Sequence, residues 1–175
     1  MMHIDDLMTM LARTPATVRT ILEDLPAGLL HADEGEGTFS PFDVLRHLIR
    51  GERELWVPRA EWILEHGPAV PFPPFDPTAI SPADGDATLE DSLRELESLR
   101  EAGVAEVRRI VEAGADLERR GRHPAFGDVT LGELLATWAV HDLNHIAQIM
   151  RVVAGQFESD VGPWREYLPI LHRRS

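Results

Sequence analysis

Three stretches of this chain carry a complete chemical start signal for an α-helix, and no other feature constrains the fold as tightly. In "FSPFDVL", Ser40 can cap, Pro41 suits the first helical position and Asp43 can reach back to the cap, while Phe39 and Val44 stand where a hydrophobic staple packs. "TLED" at Thr88 to Asp91 repeats the capping pattern. "VTLGELL" repeats it again through Thr130 and Glu133, with Val129 and Leu134 as the staple pair. Helices are therefore expected over 41–66, 89–114 and 131–154, with Gly67-Pro68 ending the first and Gly155 the last. Residues 4–25 place Leu7, Leu11, Val18, Leu22 and Leu25 at helical spacing, and Pro15, behind a capping Thr14, is expected to kink or restart that helix. The alternation of a strand persists nowhere. The economical solution is an all-α four-helix bundle forming one domain over 1–175. Trp164, Tyr167, Leu168 and Ile170 then belong to a short C-terminal segment that caps one end.

Between the second and third helices lies "GPAVPFPPFDPTAISPADGDA", 21 residues with six prolines and two phenylalanines. Bundle connections usually run about 2–8 residues. Proline stiffens this one, and Phe72 and Phe75 give it something to bury. A crossover joining two helices that run the same way is the favoured reading. A wall or lid over a site is the other, and the two are compatible.

"WAVHDLNHIAQI" (138–149) sets His141 and His145 four residues apart, on one helical face about 6 Å from each other. At 100° per residue, Leu131, Leu134, Leu135, Trp138, Ile149, Val152 and Val153 form one apolar stripe. Asp142 and His145 fall inside it, and His141 lies on its flank. Polar groups facing a core must be paired, hydrogen-bonded or metal-bound. Helix 131–154 by itself does not choose between metal ligands and a satisfied Asp–His core pair. Two histidines hold a metal weakly, so another ligand is needed. His3, His31, His47, His66, His123 and His172 are available, besides many carboxylates. In the helix over 41–66 the apolar arc is Val44, Leu45, Leu48, Ile49, Leu55, Trp56, Trp62 and Ile63; His47 sits just outside its edge and Glu52 inside it. His66 and His123, beside glycine or proline at helix ends, read as surface residues, and Trp138 as core.

"HDLNH" has the spacing of the zinc-peptidase motif with aspartate in place of glutamate. No further histidine stands where that pattern needs one, which argues against a peptidase. A di-iron carboxylate bundle requires two Glu-x-x-His motifs. The chain has none, only Asp142-x-x-His145.

The formal charge of −13 leaves no cationic reserve for nucleic acid, and the basic "RRGR" at 119–122, beside Asp116 and Glu118, reads as a solvated helix end. No run approaches the roughly 18 apolar residues of a membrane span. "MMHIDDLMTM" has no basic region of the secretory kind, and with zero cysteines there is neither a disulfide framework nor a thiolate ligand or nucleophile. A cytoplasmic protein with no nucleic-acid or membrane partner is expected.

Several of these stretches together resemble the DinB-like (YfiT-like, damage-inducible) superfamily of metal-binding four-helix bundles. They are "LARTPATVRTILEDLP" (11–26), "FSPFDVLRHLIRGERELWVPRA" (39–60), "HPAFGDVTLGELLATWAVHDLNHIAQIMRVVAGQF" (123–157) and "VGPWREYLPIL" (161–171). The proline-rich crossover matches least, and Phe39 stands where the family usually has tryptophan. Carried over by motif, the resemblance implies that His47, His141 and His145 bind a divalent metal, commonly zinc or nickel. It also implies a homodimer formed through helix faces, for which the apolar Val140, Leu143 and Met150 opposite the stripe are candidates.

Three imidazoles leave a position open on such an ion. Some superfamily members resemble bacillithiol transferases and mycothiol-dependent maleylpyruvate isomerase, which implies a metal-dependent transferase or isomerase using a low-molecular-weight thiol. A non-catalytic, metal-stabilised dimeric bundle and a metal-dependent hydrolase are the alternatives. Glu52 and Asp142 are candidates to orient the histidines, against ion pairing of Glu52 with an arginine such as Arg59 or Arg151, or of Asp142 with His145 or another helix. Gln148 and Asn144 are candidates for substrate contact.

Overall fold

The computed structural model describes residues 3–76 and 87–172. Helix α1 spans Ile4–Leu22, α2 Ala27–Leu30, α3 Pro41–Glu54, α4 Trp56–His66, α5 Leu89–Glu112 and α6 Leu131–Gly155. A two-stranded antiparallel hairpin, β1 Arg120–His123 and β2 Gly127–Thr130, stands just before α6. The architecture is a four-helix bundle built from α1, the α3–α4 pair, α5 and α6.

All three capping boxes form. Ser40, Thr88 and Thr130 each accept from the backbone N–H three residues on, and Asp43, Asp91 and Glu133 reach back to the cap. The expected single helix over 41–66 is instead two, broken at Leu55. Pro58 explains the break: it has no N–H for the Glu54 carbonyl, and its ring crowds that same carbonyl. Pro15 has a milder effect, since α1 runs through it without a restart. The carbonyl it leaves without an intrahelical partner, that of Leu11, accepts a hydrogen bond from Arg100 Nη1 at 2.7 Å.

Cross-helix pairs set the directions. Arg19 bonds Glu90 and Glu97 while Leu11 meets Arg100, so α1 and α5 are antiparallel. Leu45 and Leu48 cluster with Leu93 and Leu96, whereas Trp56 and Ile63 cluster with Val104, Val107 and Ile110. The α3–α4 pair therefore runs parallel to α5, and the long proline-rich connection is a crossover. Its residues 77–86 lie outside the described residues. Its first part is also a wall: Phe72 is buried, its N–H bonds the Arg122 carbonyl at 2.9 Å, and Pro71 bridges Arg122.

The hairpin, whose four-residue strands carry no sustained alternation, corrects the expectation that "RRGR" is a solvated helix end. Arg120 to Arg122 are strand residues, and Arg119 donates to the Ile63 and Leu64 carbonyls at the end of α4. Gly121 is buried, and a Cβ there would meet Ile63 Cγ1 at 2.5 Å, so only glycine lets the hairpin lie this close to α4. The C-terminal segment docks less completely than expected. Leu171 is buried and Pro169–Leu171 rests on α6, but Trp164 and Tyr167 are 70% and 77% exposed.

Candidate metal centre

α3 carries His47 and α6 carries His141 and His145, and their antiparallel crossing brings the three Nε2 atoms together. His141 Nε2 lies 3.1 Å from His47 Nε2 and 3.1 Å from His145 Nε2. Among the described residues this is the group of histidine or acidic side chains placed to share one ion. Tetrahedral Zn–N bonds of about 2.0–2.1 Å hold their nitrogens about 3.3 Å apart, so the spacing fits a common cation. A proton on His141 Nε2 serves one neighbour well, whereas a central cation serves all three. His47, which projection placed outside the apolar arc, reaches the cluster because the cluster sits at the edge of the core, facing a cavity.

Burial favours the neutral imidazoles that a metal requires. It lowers His141 to about 3, with the neighbouring His145, His47 and Arg100 pushing the same way. Burial also lowers His145, against the opposing pull of Gln148 and Asp142. His145 Nδ1–H donates to Gln148 Oε1 at 2.8 Å, which leaves the Nε2 lone pair for the ion. Gln148 thus orients a histidine, while Asn144 is exposed and lies outside the cavity lining.

Glu52 and Asp142, weighed above as carboxylates that orient the histidines, both pair with Arg100 instead. That guanidinium uses all five N–H groups: two on Glu52, two on Asp142 and the one on Leu11 O. Trp138 Nε1 donates to Glu52 Oε1 at 3.0 Å, beneath the Arg100 guanidinium, which lies 5.1 Å from its ring centre. The partner of Glu52 is therefore neither Arg59 nor Arg151. Burial raises the Glu52 carboxyl, and Arg100 opposes that shift. Sequence reasoning passed over Arg100. Its signal is a charged residue on the α5 stripe of Leu93, Leu96, Val104 and Val107.

The cluster opens onto a cavity of about 840 Å³ lined largely by apolar and aromatic side chains, among them Phe39, Trp56, Phe72, Phe75, Phe126 and Leu134. That volume suits a small-molecule site. His123, read as a surface residue, is half-buried in this wall, stacked on Phe126 at 4.4 Å. Burial lowers it, and the nearby Arg59 charge adds to the effect. Among the described residues two carboxylates line the cavity, and each is engaged: Glu34 by Arg151 at 2.9 Å, and Glu133 in the α6 capping box.

Residues 10–149 match the DinB superfamily. The chain belongs to that superfamily. Among solved structures it is similar to YfiT from Bacillus subtilis, described as a probable metal-dependent hydrolase with an unusual four-helix bundle topology. The TM-score is 0.73 at 22% identity, over 87% of this chain and 86% of that one. No curated protein matches the chain. No helix among the described residues is long and apolar enough to cross a membrane.

Proposed function

We propose that this member of the DinB superfamily binds one divalent metal ion, zinc or nickel, through Nε2 of His47, His141 and His145, and acts on a small molecule held in the adjoining cavity. The observation that carries the reading is the convergence of three Nε2 atoms within hydrogen-bond distance at the wall of a large apolar cavity. When bound, an ion with an open position supplies Lewis acidity, which acidifies a ligated water or thiol. The chain's own residues do the rest. Gln148 holds His145 in the ligating tautomer, the aromatic wall offers an apolar surface to the body of a ligand, and the Arg100 network holds α6 in register with α3 and α5.

The preferred reaction is transfer or addition of a low-molecular-weight thiol. Both carboxylates lining the cavity among the described residues are engaged elsewhere, so the lining offers no free carboxylate as a general base for hydrolysis. A thiol that arrives as the nucleophile needs no cysteine from the chain, and the chain has none. Hydrolysis is the second reading, favoured by the similarity to YfiT, itself described as a probable metal-dependent hydrolase.

Plasma mass spectrometry of wild type beside His47→Ala, His141→Ala and His145→Ala tests the metal centre; one ion per chain, lost in each variant, is expected. No metal after incubation with zinc and nickel would sink the proposal. A cobalt-substituted centre then separates the reactions. A visible spectrum altered by added thiol supports thiol chemistry, and turnover of activated esters without thiol supports hydrolysis. We further propose a homodimer through the exposed Val140, Leu143 and Met150 of α6. Light scattering giving a 19.6 kDa particle would refute it.

A further inference from the structure

Among the arginines that line the cavity or reach the core, Arg59 lacks an anionic partner among the described residues. Arg151 is held by Glu34, and Arg100 by Glu52 and Asp142. Arg59 projects from α4 into the cavity wall, half-buried, with no hydrogen bond or ion pair to any described residue. Its contacts are aromatic faces: the guanidinium carbon lies 4.9 Å from the Phe72 ring centre and 6.0 Å from that of Phe75. Burial alone disfavours its charged form. Other arginines without an ion pair, such as Arg13, Arg108 and Arg122, stand in solvent, where water satisfies them. In a chain of net charge −13, a half-buried cation in an aromatic cavity, with no anionic partner among the described residues, is costly unless an anion arrives from outside.

A second donor shares this wall. His123 Nδ1 accepts from the N–H groups of Ala125 and Phe126 at 3.1 and 3.3 Å, which places the neutral ring's proton on Nε2. Its ring meets Phe72 edge-on at 6.0 Å, so Phe72 touches both donors.

We propose that Arg59, seconded by His123, forms an anion subsite of this cavity, so that the ligand is a carboxylic acid with an aromatic or aliphatic body. The carboxylate pairs with the guanidinium fork, the body packs on Phe72 and Phe75, and the far end of the molecule reaches the three histidines. A guanidinium suits the task because its planar donors match a carboxylate in bidentate fashion. The assignment of the reacting end rests on the metal-centre reading; the anion subsite does not.

The test is calorimetric titration of metal-free protein with 4-phenylbutyrate and with its neutral isostere, 4-phenylbutyramide. The expected result is a preference for the acid of roughly tenfold or more, the usual reach of a charge-assisted hydrogen bond. Arg59→Met, which keeps the apolar stem against Phe72 and removes the buried charge, should abolish the preference, leave amide binding unchanged and leave the melting temperature no lower than that of wild type. Arg59→Lys keeps the charge without the fork and should retain part of the preference. Equal binding of the two probes, no binding of the acid, or a preference that survives in Arg59→Met overturns the proposal. A preference that appears only with zinc and survives Arg59→Met means that the carboxylate reads the ion; the subsite then falls while the metal centre stands. An Arg59-dependent preference in a protein that never takes up metal has the opposite meaning.

Discussion

Arg100 is the residue on which the geometry of the three-histidine cluster depends most, although it touches none of the three histidines. Its five N–H groups join Leu11 of α1, Glu52 of α3 and Asp142 of α6 to α5, so one side chain fixes the register of all four bundle helices. Asp142 adjoins His141, and Glu52 lies five residues beyond His47, so a slip in this network displaces the three histidines as well. Arg100→Met strands two buried carboxylates and should cost about 3–5 kcal/mol, read as a lower denaturant midpoint. Arg100→Lys should recover little of this, because an ammonium cannot serve five contacts in one plane. Gln148 acts on the other side of the site. Gln148→Leu frees the His145 ring from its fixed tautomer and should weaken metal affinity about 10–100-fold in competition with a chelator, leaving stability of the metal-free protein nearly unchanged.

At the scale of elements, the helix starts were legible because a capping box is local chemistry, complete within four residues. Proline effects were legible in kind but not in outcome. Pro58 breaks the helix expected over 41–66, whereas Pro15 leaves α1 continuous because Arg100, distant in sequence, takes the carbonyl it frees. The hairpin left no periodic trace, since "RGRH" and "GDVT" are four residues each and their most buried position is a glycine. Gly121 is the price of its close approach to Ile63. Gly121→Ala should destabilise the protein by about 1–3 kcal/mol, as overpacking does, and should lower melting temperature. The same substitution moves Arg122 and with it Phe72, so binding in the cavity should weaken beyond the effect on stability.

At the scale of the whole molecule, metal and fold are expected to be coupled. Any ion that binds only the folded state raises stability by mass action, about 2.7 kcal/mol at a hundredfold excess over its dissociation constant. Melting temperature should therefore climb with zinc or nickel in wild type and stay flat in His141→Ala. The helical class, the capped starts and the placing of His141 and His145 on one helical face were determined by the sequence alone. Each depends on neighbours within a few residues or on composition. That His47 reaches that pair from outside the apolar arc, which carboxylates are taken by Arg100, and that His123 and Arg59 share a wall with the cluster were decided only by the tertiary structure. Those outcomes depend on how antiparallel and parallel helices cross, and residues tens of positions apart in the chain meet at distances that no helical projection contains.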